Sequence, residues 1–434
     1  MIKYFSTEGK SDKVSFKEAI ISGLAPDRGL YFPDKINRFN ENIFKITDFT
    51  EIAFQTSRLL VEDAIPEAKL KEIIYDAFNF PAPIVNLKEN VYTMELFHGP
   101  TAAFKDFGAR FMARVLSYFL AESDKKITIL VATSGDTGSA VARGFYKAPN
   151  IEVVILYPKD KVSLLQEKQL TSLGENVTAL EVEGTFDDCQ YMVKEAFIDR
   201  ELNDKTNLSS ANSINIGRLY PQSFYYVWAF NYLKLKTGCK DIIFCTPSGN
   251  FGNLTGGLLA KRMGLPVKKF IAATNINDVV PEYLDTGIYK PRPSVKTHSN
   301  AMDVGNPSNF ARMLALYGDK ESMLKDIVGY KVTDDETIDT IKKVYNETGY
   351  LLDPHGAVGY KAVESYKKDY NENTTPIVFL ETAHPAKFGE VIKTNLGIEI
   401  ETPQVLKEAL TKEKKTVLIG NKYSDLKNFL LKKI

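Results

Sequence analysis

The sequence predicts an α/β fold built on mostly parallel sheets. From residue 125 onward, short runs of β-branched and other apolar residues alternate with stretches of helical periodicity. The clearest runs span residues 127–132, 153–157, 242–245, 270–273 and 377–380. They are almost continuously apolar, which is typical of strands that are covered on both faces. A helix between consecutive buried strands is the usual connection in a parallel sheet, so this order favours parallel pairing.

The chain before residue 92 has a different pattern. Residues 16–23 and 52–64 have the periodicity of helices, whereas residues 24–33 contain Pro and Gly in an arrangement typical of a loop. A proline-rich stretch at residues 81–83 follows, and we expect a domain boundary close to it. The N-terminal part is therefore expected to form a unit separate from the parallel sheets.

The length of 434 residues is too great for one ordinary core and predicts two or three packed units. We place the first unit at residues 1–92 and the second at residues 93–390, with two α/β subdomains in the latter. The charged composition of residues 407–415 and the final stretch at 424–434 favour a surface-packed helical tail, which we place at residues 391–434.

Composition and charge exclude several classes of partner. The 55 basic residues equal the 55 acidic residues, so no global charge attracts nucleic acid or an anionic membrane. We therefore expect a small-molecule partner. The three cysteines are odd in number and widely spaced, which indicates reduced thiols in a cytoplasmic protein, and the first residues have no signal-peptide pattern. The four histidines are scattered without metal-ligand spacing, so no metal site is expected.

Two strand-to-helix turns are rich in glycine, hydroxyl and amide groups. The first consists of Thr133, Ser134, Gly135, Asp136 and Thr137, and the second of Ser248, Gly249, Asn250, Phe251 and Gly252. Ligands of open α/β sheets bind beyond the carboxyl ends of the strands, where glycine lets backbone N–H groups approach an anion. The alternative is a tight connection in which a polar residue caps the next helix. Two such turns favour a phosphate or carboxylate site, although neither is a P-loop or a dinucleotide motif.

Lys105 is a candidate for covalent chemistry. It directly precedes a helical pattern that starts at Asp106 and places Phe107, Phe111 and Phe119 on one buried face. A lysine near a helix start is disfavoured by the helix dipole unless its amine is neutral or bonded. Buried lysines lose their proton readily, as Schiff-base chemistry requires. The alternative is an ordinary surface lysine, which the spacing alone does not exclude.

The segment 98–111, which contains Lys105, resembles the cofactor-lysine motif of threonine synthases, in the branch with the longer N-terminal domain. Ordered matches extend over essentially the whole chain, at residues 4–9, 23–33, 133–140, 165–168, 211–218, 247–252, 300–304 and 382–388. The resemblance implies a pyridoxal-phosphate enzyme of fold type II, similar to the tryptophan synthase β chain, with two open, mostly parallel sheets after an N-terminal domain. It also implies the last step of threonine biosynthesis, in which O-phospho-L-homoserine and water become L-threonine and phosphate by γ-elimination and β-addition of water.

The resemblance implies roles for particular residues in binding pyridoxal phosphate. Lys105 would form the Schiff base and later move protons between two substrate carbons. The turn at residues 248–252 would hold the cofactor phosphate through N–H groups, and the hydroxyl of Thr382 would hydrogen-bond the pyridine nitrogen. Asp136 would stand near the cofactor's phenolic oxygen, where related sequences often have asparagine. Because an ionised aspartate would repel a phenolate, either Asp136 is turned away or Thr137 makes that contact.

The resemblance also implies two groups of substrate contacts, one to the carboxylate and one to the phosphate. The first group is Thr133, Ser134, Gly135 and Thr137, and the second is Ser213, Asn215 and Arg218. A guanidinium fork matches phosphate geometry, which suits Arg218 to this role. Two other interpretations stay open: a related pyridoxal-phosphate enzyme that catalyses β-elimination or β-replacement, such as a serine or threonine dehydratase, and a non-catalytic homologue that binds phosphorylated metabolites. The choice between a monomer and a homodimer is open as well.

Overall fold

The computed structural model describes residues 1–121, 125–133 and 135–433. Within these residues the strands are β1 (Tyr4–Ser6), β2 (Tyr31–Pro33), β3 (Ile84–Lys88), β4 (Val91–Glu95), β5 (Ile127–Ala132), β6 (Ile151–Pro158), β7 (Val177–Val182), β8 (Leu208–Ser209), β9 (Ile242–Pro247), β10 (Val267–Thr274), β11 (Ile327–Lys331), β12 (Ile377–Glu381) and β13 (Val417–Ile419).

The helices within the same residues are α1 (Phe16–Ser22), α2 (Phe49–Val61), α3 (Glu67–Ala77), α4 (Lys105–Leu120), α5 (Asp136–Gly144), α6 (Leu164–Thr171), α7 (Phe186–Ile198), α8 (Arg200–Lys205), α9 (Ile216–Leu219), α10 (Phe224–Thr237), α11 (Gly252–Arg262), α12 (Val279–Thr286), α13 (Phe310–Tyr317), α14 (Lys320–Asp326), α15 (Asp334–Thr348), α16 (Pro354–Tyr370), α17 (Gly389–Leu396), α18 (Gln404–Leu410) and α19 (Tyr423–Lys432). Short 3-10 turns lie at Glu41–Lys45, Glu62–Ala64, Tyr220–Ser223, Asn300–Met302 and Pro385–Phe388.

The larger sheet has six strands in the order β11-β10-β9-β12-β4-β3. Its neighbouring strands are parallel except for β3 and β4, which pair antiparallel at one edge. The strands predicted at residues 242–245, 270–273 and 377–380 are β9, β10 and β12. The prediction of a mostly parallel sheet is confirmed for this part of the chain.

The second sheet has five strands in the order β13-β7-β6-β5-β8, and all of its pairs are parallel. The strands predicted at residues 127–132 and 153–157 lie at its centre as β5 and β6. Ile129 and Val131 pack into one core, whereas Leu130 and Ala132 pack into another, because successive side chains of a strand point to opposite faces. Burial on both faces explains the continuous apolar pattern of β5.

The N-terminal part is mainly helical, and one sequence prediction there is wrong. The loop predicted at residues 24–33 includes β2, which pairs antiparallel with β1. Both strands are edges of a two-stranded sheet, so the missing N–H of Pro33 is tolerated. The helix predicted at residues 52–64 is α2, which begins earlier because Asp48 caps it by accepting from the N–H of Glu51.

The tail predicted as helical at residues 391–434 also differs from the prediction. It contains α18 and α19, but β13 lies between them and extends the second sheet through its pairing with β7. Val417 and Leu418 of this strand are exposed, and such a short edge strand has a weak sequence signal. In the part of the chain that the structure describes, no helix is long and apolar enough to cross a membrane.

Candidate active site

Three adjacent strands of the larger sheet end at the same edge. β9, β12 and β4 are neighbours and run parallel, so their carboxyl ends lie together. The residues that follow them are the turn at Ser248, the residue Thr382 and the segment that leads to Lys105. Ligands of open α/β sheets bind at this edge. The fold thus brings together the three segments for which cofactor binding is predicted.

A short bridge to the segment after β12 holds Lys105 in place. Ala103 and Ala383 form an isolated antiparallel bridge, and the N–H of Phe104 donates to the carbonyl oxygen of Thr382 over 2.8 Å. Lys105 is the first residue of α4, so it begins the helix rather than preceding it. Its backbone is therefore anchored beside Thr382.

The surroundings of Lys105 shift its amine toward the neutral form. Burial lowers the pKa of Lys105 to about 8; the carboxylate of Asp136 opposes this decrease, and the cations Lys387 and Arg218 add to it. Desolvation disfavours the charged form of an amine, and a neutral amine is the nucleophile that bonds to a carbonyl group. The charge environment therefore suits Lys105 to covalent chemistry.

The carboxyl group of Asp106, next to Lys105, braces the turn that precedes α4. Its oxygens accept from the N–H of Thr101 over 2.8 Å and from the Thr101 hydroxyl over 2.9 Å. Burial raises the pKa of Asp106 to about 6, although both of these hydrogen bonds oppose the increase. A Cβ atom at Gly99 would lie 2.4 Å from an oxygen of Asp106, so this close contact requires glycine. The turn is rigidly attached to the start of the lysine helix.

The turn after β9 presents backbone N–H groups at the start of α11. The N–H groups of residues 249–252 donate to no backbone carbonyl of the described chain. A Cβ atom at Gly249 would lie 2.7 Å from the Cα of Met302, so glycine is required for this close approach. Phe251 is buried and adopts a left-handed conformation with φ 59°. N–H groups that converge at a helix start form an anion site.

The side chains of this turn fix its shape. The hydroxyl of Ser248 donates to Oδ1 of Asn253 over 2.6 Å, and Nδ2 of Asn250 donates to Oγ of Ser213 over 2.6 Å. The second contact joins the predicted cofactor-phosphate turn to the predicted substrate-phosphate segment. These polar side chains therefore support the backbone, and the N–H groups remain available to an anion.

Thr382 is buried and directly follows β12. Two buried carboxyl groups, those of Asp353 and Glu381, lie beside this segment. Asp353 caps α16 and accepts at 3.3 Å from the N–H of Ala383. Burial and the neighbouring Asp353 raise the pKa of Glu381 well above its ordinary value, so the negative charge of this carboxyl is disfavoured. A Cβ atom at Gly356 would lie 2.2 Å from an oxygen of Glu381, which shows how closely α16 packs against this carboxyl.

The turn after β5 is held by its own hydrogen bonds. The hydroxyl oxygen of Thr133 accepts from the N–H groups of Gly135 over 3.0 Å and Gly138 over 2.9 Å. Gly135 has φ 148°, and a Cβ atom there would lie 2.4 Å from the amide nitrogen of Gln166. Thr137 is partly exposed, and Ser134 lies outside the described residues. The Thr133 hydroxyl is thus committed to shaping the turn.

Asp136 forms a buried ion pair that the sequence does not predict. Its Oδ1 lies 2.7 Å from Nζ of Lys387, and the side chains are 5% and 0% exposed respectively. Burial would raise the pKa of Asp136, but Lys387 and Lys105 outweigh this effect and hold it well below its usual range. Asp136 is therefore an ionised carboxylate that is already paired with a cation.

Arg218 is 4% exposed, and its guanidinium packs against Gly108 of α4. It donates to the carbonyl oxygen of Ala211, whereas its Nε–H has no partner in the described structure. A Cβ atom at Gly108 would lie 2.7 Å from that Nε. Burial lowers the pKa of Arg218 to about 10, with Asp106 opposing the decrease. A buried cation with an unused donor favours an anionic ligand.

Asn215 is placed differently from the other two predicted phosphate contacts. It is fully buried as the cap of α9, where its Oδ1 accepts from the N–H of Gly217 over 2.9 Å. Its Nδ2 donates to the carbonyl oxygens of Ile20 over 2.9 Å and Ser210 over 3.0 Å. The amide is fully used by these contacts, so it braces the segment that carries Ser213 and Arg218.

Sequence reasoning missed the roles of Lys387, Gln166, Asp353 and Glu381. Lys387 and Gln166 fall within matched segments, but nothing in their spacing indicates that both approach Asp136. The signal available for Glu381 is its position on a continuously apolar strand, directly before Thr382. In the described chain, no group of His, Cys, Asp and Glu side chains has an arrangement that could hold a metal ion.

Comparison with known protein families covers almost the whole chain. Residues 3–78 match the family described as threonine synthase N terminus. Residues 78–382 match the pyridoxal-phosphate dependent enzyme family, and residues 356–430 match the threonine synthase C-terminal family. Lys105 and the turn at Ser248 lie within the second match, which ends at Thr382.

Individual proteins agree with the family matches. A threonine synthase from Haemophilus influenzae is 44% identical over 434 residues, which is 99% of each chain. One from Escherichia coli K12 is 45% identical over 411 residues, with 94% of each chain covered. A crystal structure of PLP-bound threonine synthase from Brucella melitensis superimposes with a TM-score of 0.92, at 36% identity and 99% coverage of both chains. The chain therefore belongs to the threonine synthase family of pyridoxal-phosphate-dependent lyases.

Proposed function

We propose that this chain converts O-phospho-L-homoserine and water to L-threonine and phosphate, by γ-elimination followed by β-addition of water. The observation that carries the proposal is Arg218, a buried guanidinium with an unused Nε–H whose charge acts on Lys105. A buried cation whose charge acts on the reactive amine suits an anionic substrate. The phosphate of phosphohomoserine supplies such an anion, and a guanidinium is well suited to bind it.

The residues of the site fit pyridoxal phosphate. The turn at residues 248–252 would bind the cofactor phosphate, because it presents N–H groups without backbone partners at the start of α11. The contact between Gly249 and Met302 leaves no room for a side chain beside that turn. Thr382 would bind the pyridine nitrogen through its hydroxyl, and Lys105 would attach to the cofactor's carbonyl carbon.

When bound, pyridoxal phosphate supplies an electron sink for negative charge that develops on carbon. The protein has to provide a base that moves protons at the carbon atoms of the substrate, and we assign this task to Lys105. Its lowered pKa of about 8 allows the amine to accept and to release a proton near neutral pH. Burial and Asp353 raise the pKa of the adjacent Glu381, which disfavours a negative charge next to the predicted position of the pyridine nitrogen.

For the substrate, we assign the phosphate to Arg218 and Ser213 and the carboxylate to the turn at residues 133–137. Ser213 accepts from Asn250 through its hydroxyl oxygen, so its proton is available to a phosphate oxygen. Asn215 would act indirectly, as the cap that holds this segment. Thr133 would likewise act by shaping its turn, while Thr137 and Ser134 stay predicted substrate contacts.

The domain boundaries also stay part of the proposal, with an N-terminal domain at residues 1–92, a catalytic region at 93–390 and a tail at 391–434. We propose a cytoplasmic location because the three cysteines are free thiols, two of them buried. Gel filtration with light scattering would decide between a monomer and a homodimer.

The direct test is a coupled assay of the purified, cofactor-loaded protein with O-phospho-L-homoserine, in which phosphate and threonine are measured in the same sample. We expect equal amounts of both products. Phosphate together with a keto acid, but without threonine, would instead support an elimination of the dehydratase type. A protein that binds the cofactor and the substrate without turnover would support the non-catalytic alternative.

A further inference from the structure

Lys387 lies in the 3-10 turn Pro385–Phe388, close behind Thr382 in the sequence. Its side chain is 0% exposed, and its Nζ lies 2.7 Å from Oδ1 of Asp136 and 3.0 Å from the carbonyl oxygen of Thr101. A lysine is rarely buried so completely unless its charge is paired. These contacts join the segment after β12 to the turn after β5 and to the turn that precedes Lys105.

The partners of Lys387 are themselves held in place. Gln166 of α6 approaches Oδ1 of Asp136 through its amide nitrogen at 3.4 Å. Gln169 of the same helix donates to the carbonyl oxygen of Thr101 over 3.2 Å, so Thr101 accepts from both Gln169 and Lys387. Residues 165–168 resemble threonine synthases, but the resemblance implies no role for them. The contact of Gln166 with Asp136 gives this segment a place in the network. The pair is part of a fixed network rather than a loose surface contact.

The charges around this network act on Lys105 in opposite directions. Asp136 stabilises the protonated amine of Lys105, whereas Lys387 and Arg218 disfavour it. Further charged or titratable groups in the same electrostatic surroundings are Asp106, His355 and His384, each of which interacts with Lys387 or Asp136. Of all these charged or titratable groups and Lys387, only Lys387 forms an ion pair with Asp136 in the described structure.

We propose that Lys387 is a positioning residue of the reaction site. It binds Asp136 in a neutral pair, and this pairing holds the carboxylate away from the cofactor's phenolic oxygen. The ammonium group of Lys387 also offsets the charge of Asp136 at Lys105. This inference rests on the proposed function only in taking Lys105 as the cofactor lysine. It resolves the conflict between an ionised Asp136 and a phenolate. The carboxylate is paired at 2.7 Å with an ammonium group, which offsets its repulsion toward a phenolate.

The test compares Lys387→Met, Asp136→Asn and the double variant. The pKa of the Lys105 amine is measured in the cofactor-free full chain by competitive amine labelling and mass spectrometry of the Lys105 peptide. Loss of Lys387 leaves Asp136 unopposed, so we expect the Lys105 pKa to rise by about one unit. Loss of the Asp136 charge is expected to lower it by about one unit, and the double variant is expected to return close to the wild-type value.

Affinity for pyridoxal phosphate, titrated by absorbance, is the second readout. We expect Lys387→Met to weaken it about tenfold or more and the added Asp136→Asn change to restore most of the loss, because the unpaired carboxylate is then gone. A purely structural lysine would not give shifts of opposite sign or rescue by a second change. Lys161→Met, at an exposed lysine, is the matched control and should change neither quantity.

Shifts of the Lys105 pKa in the same direction in both single variants, or no shift in either, would overturn the proposal. If Lys387→Met does not fold, Asp136→Asn decides alone, since a lowered Lys105 pKa supports the pair and an unchanged or raised one contradicts it. These readouts need no turnover. A protein that shows the shifts but forms no threonine would therefore refute the proposed reaction and leave the role of Lys387 standing.

Discussion

Nζ of Lys387 lies 2.7 Å from Oδ1 of Asp136, and both side chains are almost completely excluded from solvent. The two residues follow strands of different sheets. Asp136 begins the helix after β5, and Lys387 lies in the turn after β12. Their contact therefore connects the segment that follows β5 of the second sheet to the segment that follows β12 of the larger sheet. Breaking one partner of a buried pair leaves an uncompensated charge, which typically costs about 3–5 kcal/mol. The pair matters for stability as well as for the site.

Lys105→Ala is expected to abolish threonine formation, because it removes both the attachment point and the proposed base. The thermal unfolding midpoint of the cofactor-free variant should stay close to that of the wild type, since Lys105 is only partly buried at a helix start. Borohydride reduction followed by peptide mapping should fix the cofactor to the Lys105 peptide in the wild type alone. Turnover at a wild-type rate in the variant would refute the assignment.

The pKa of about 8 at Lys105 predicts how covalent attachment of pyridoxal phosphate depends on pH. Only the neutral amine reacts, so the attachment rate should rise as pH increases toward 8 and level off above it. An ordinary lysine would still show a rising rate at pH 10, because its pKa is about 10.4. Stopped-flow absorbance on the cofactor-free protein measures the profile, and a rate that keeps rising to pH 10 would contradict the lowered pKa.

Arg218→Ala is expected to lower kcat/KM for O-phospho-L-homoserine by about 10- to 100-fold, the usual range for losing a hydrogen bond to a charged group. Inhibition by inorganic phosphate should weaken in parallel, because the same guanidinium would bind it. Arg218→Lys should recover only part of the loss, since a lysine lacks the planar fork. Unchanged kinetics and unchanged phosphate inhibition would show that the substrate phosphate binds elsewhere.

Gly249→Ala tests the turn at residues 248–252. The added Cβ would lie 2.7 Å from the Cα of Met302, so the backbone of one segment has to move. We expect the affinity for pyridoxal phosphate to fall about tenfold or more, because the turn's N–H groups would be displaced from the anion. Gly389→Ala is the matched control, since a Cβ there meets nothing within 4 Å. Equal affinities in the two variants would argue against this turn as the phosphate site.

Glu381→Gln tests the raised pKa of the buried carboxyl group of Glu381. Because burial and Asp353 raise the pKa of Glu381, the folded state keeps a proton that the unfolded state loses above its ordinary pKa. The contribution of Glu381 to stability is therefore complete at low pH and is lost as pH rises toward the folded-state pKa. Glutamine cannot ionise, so the variant should gain stability relative to the wild type as pH rises above the ordinary pKa of glutamate, about 4.3.

Denaturant unfolding at several pH values measures this difference. The exposed change Glu390→Gln serves as the control and should show no such trend. A Glu381→Gln variant whose stability relative to the wild type falls as pH rises would mean that the native carboxyl is ionised.

The sheets could be predicted from sequence because their central strands are buried on both faces. The runs at β5, β6, β9, β10 and β12 are almost continuously apolar, which is typical of strands buried on both faces. β13 could not be found in the same way, because Val417 and Leu418 are exposed in a charged tail. β2 could not be predicted either, because its residue Pro33 is more typical of a loop than of a strand.

The site could be predicted only in part, for a different physical reason. Local motifs identify a lysine at a helix start and glycine-rich turns, because their chemistry is contained within a few residues. The pairing of Asp136 with Lys387 and the unused Nε–H of Arg218 depend on tertiary packing. Asn215 illustrates the same limit, since its polarity suggests a ligand, whereas burial and three hydrogen bonds make it a helix cap.

The most direct test of the proposed reaction is to run it in water enriched in ¹⁸O. Elimination of phosphate breaks the bond between carbon and oxygen, and the hydroxyl group of threonine then comes from water. We therefore expect one ¹⁸O atom in each threonine and none in the released phosphate, as measured by mass spectrometry. Phosphate that carries ¹⁸O, formed together with homoserine instead of threonine, would show simple phosphate hydrolysis and contradict the account.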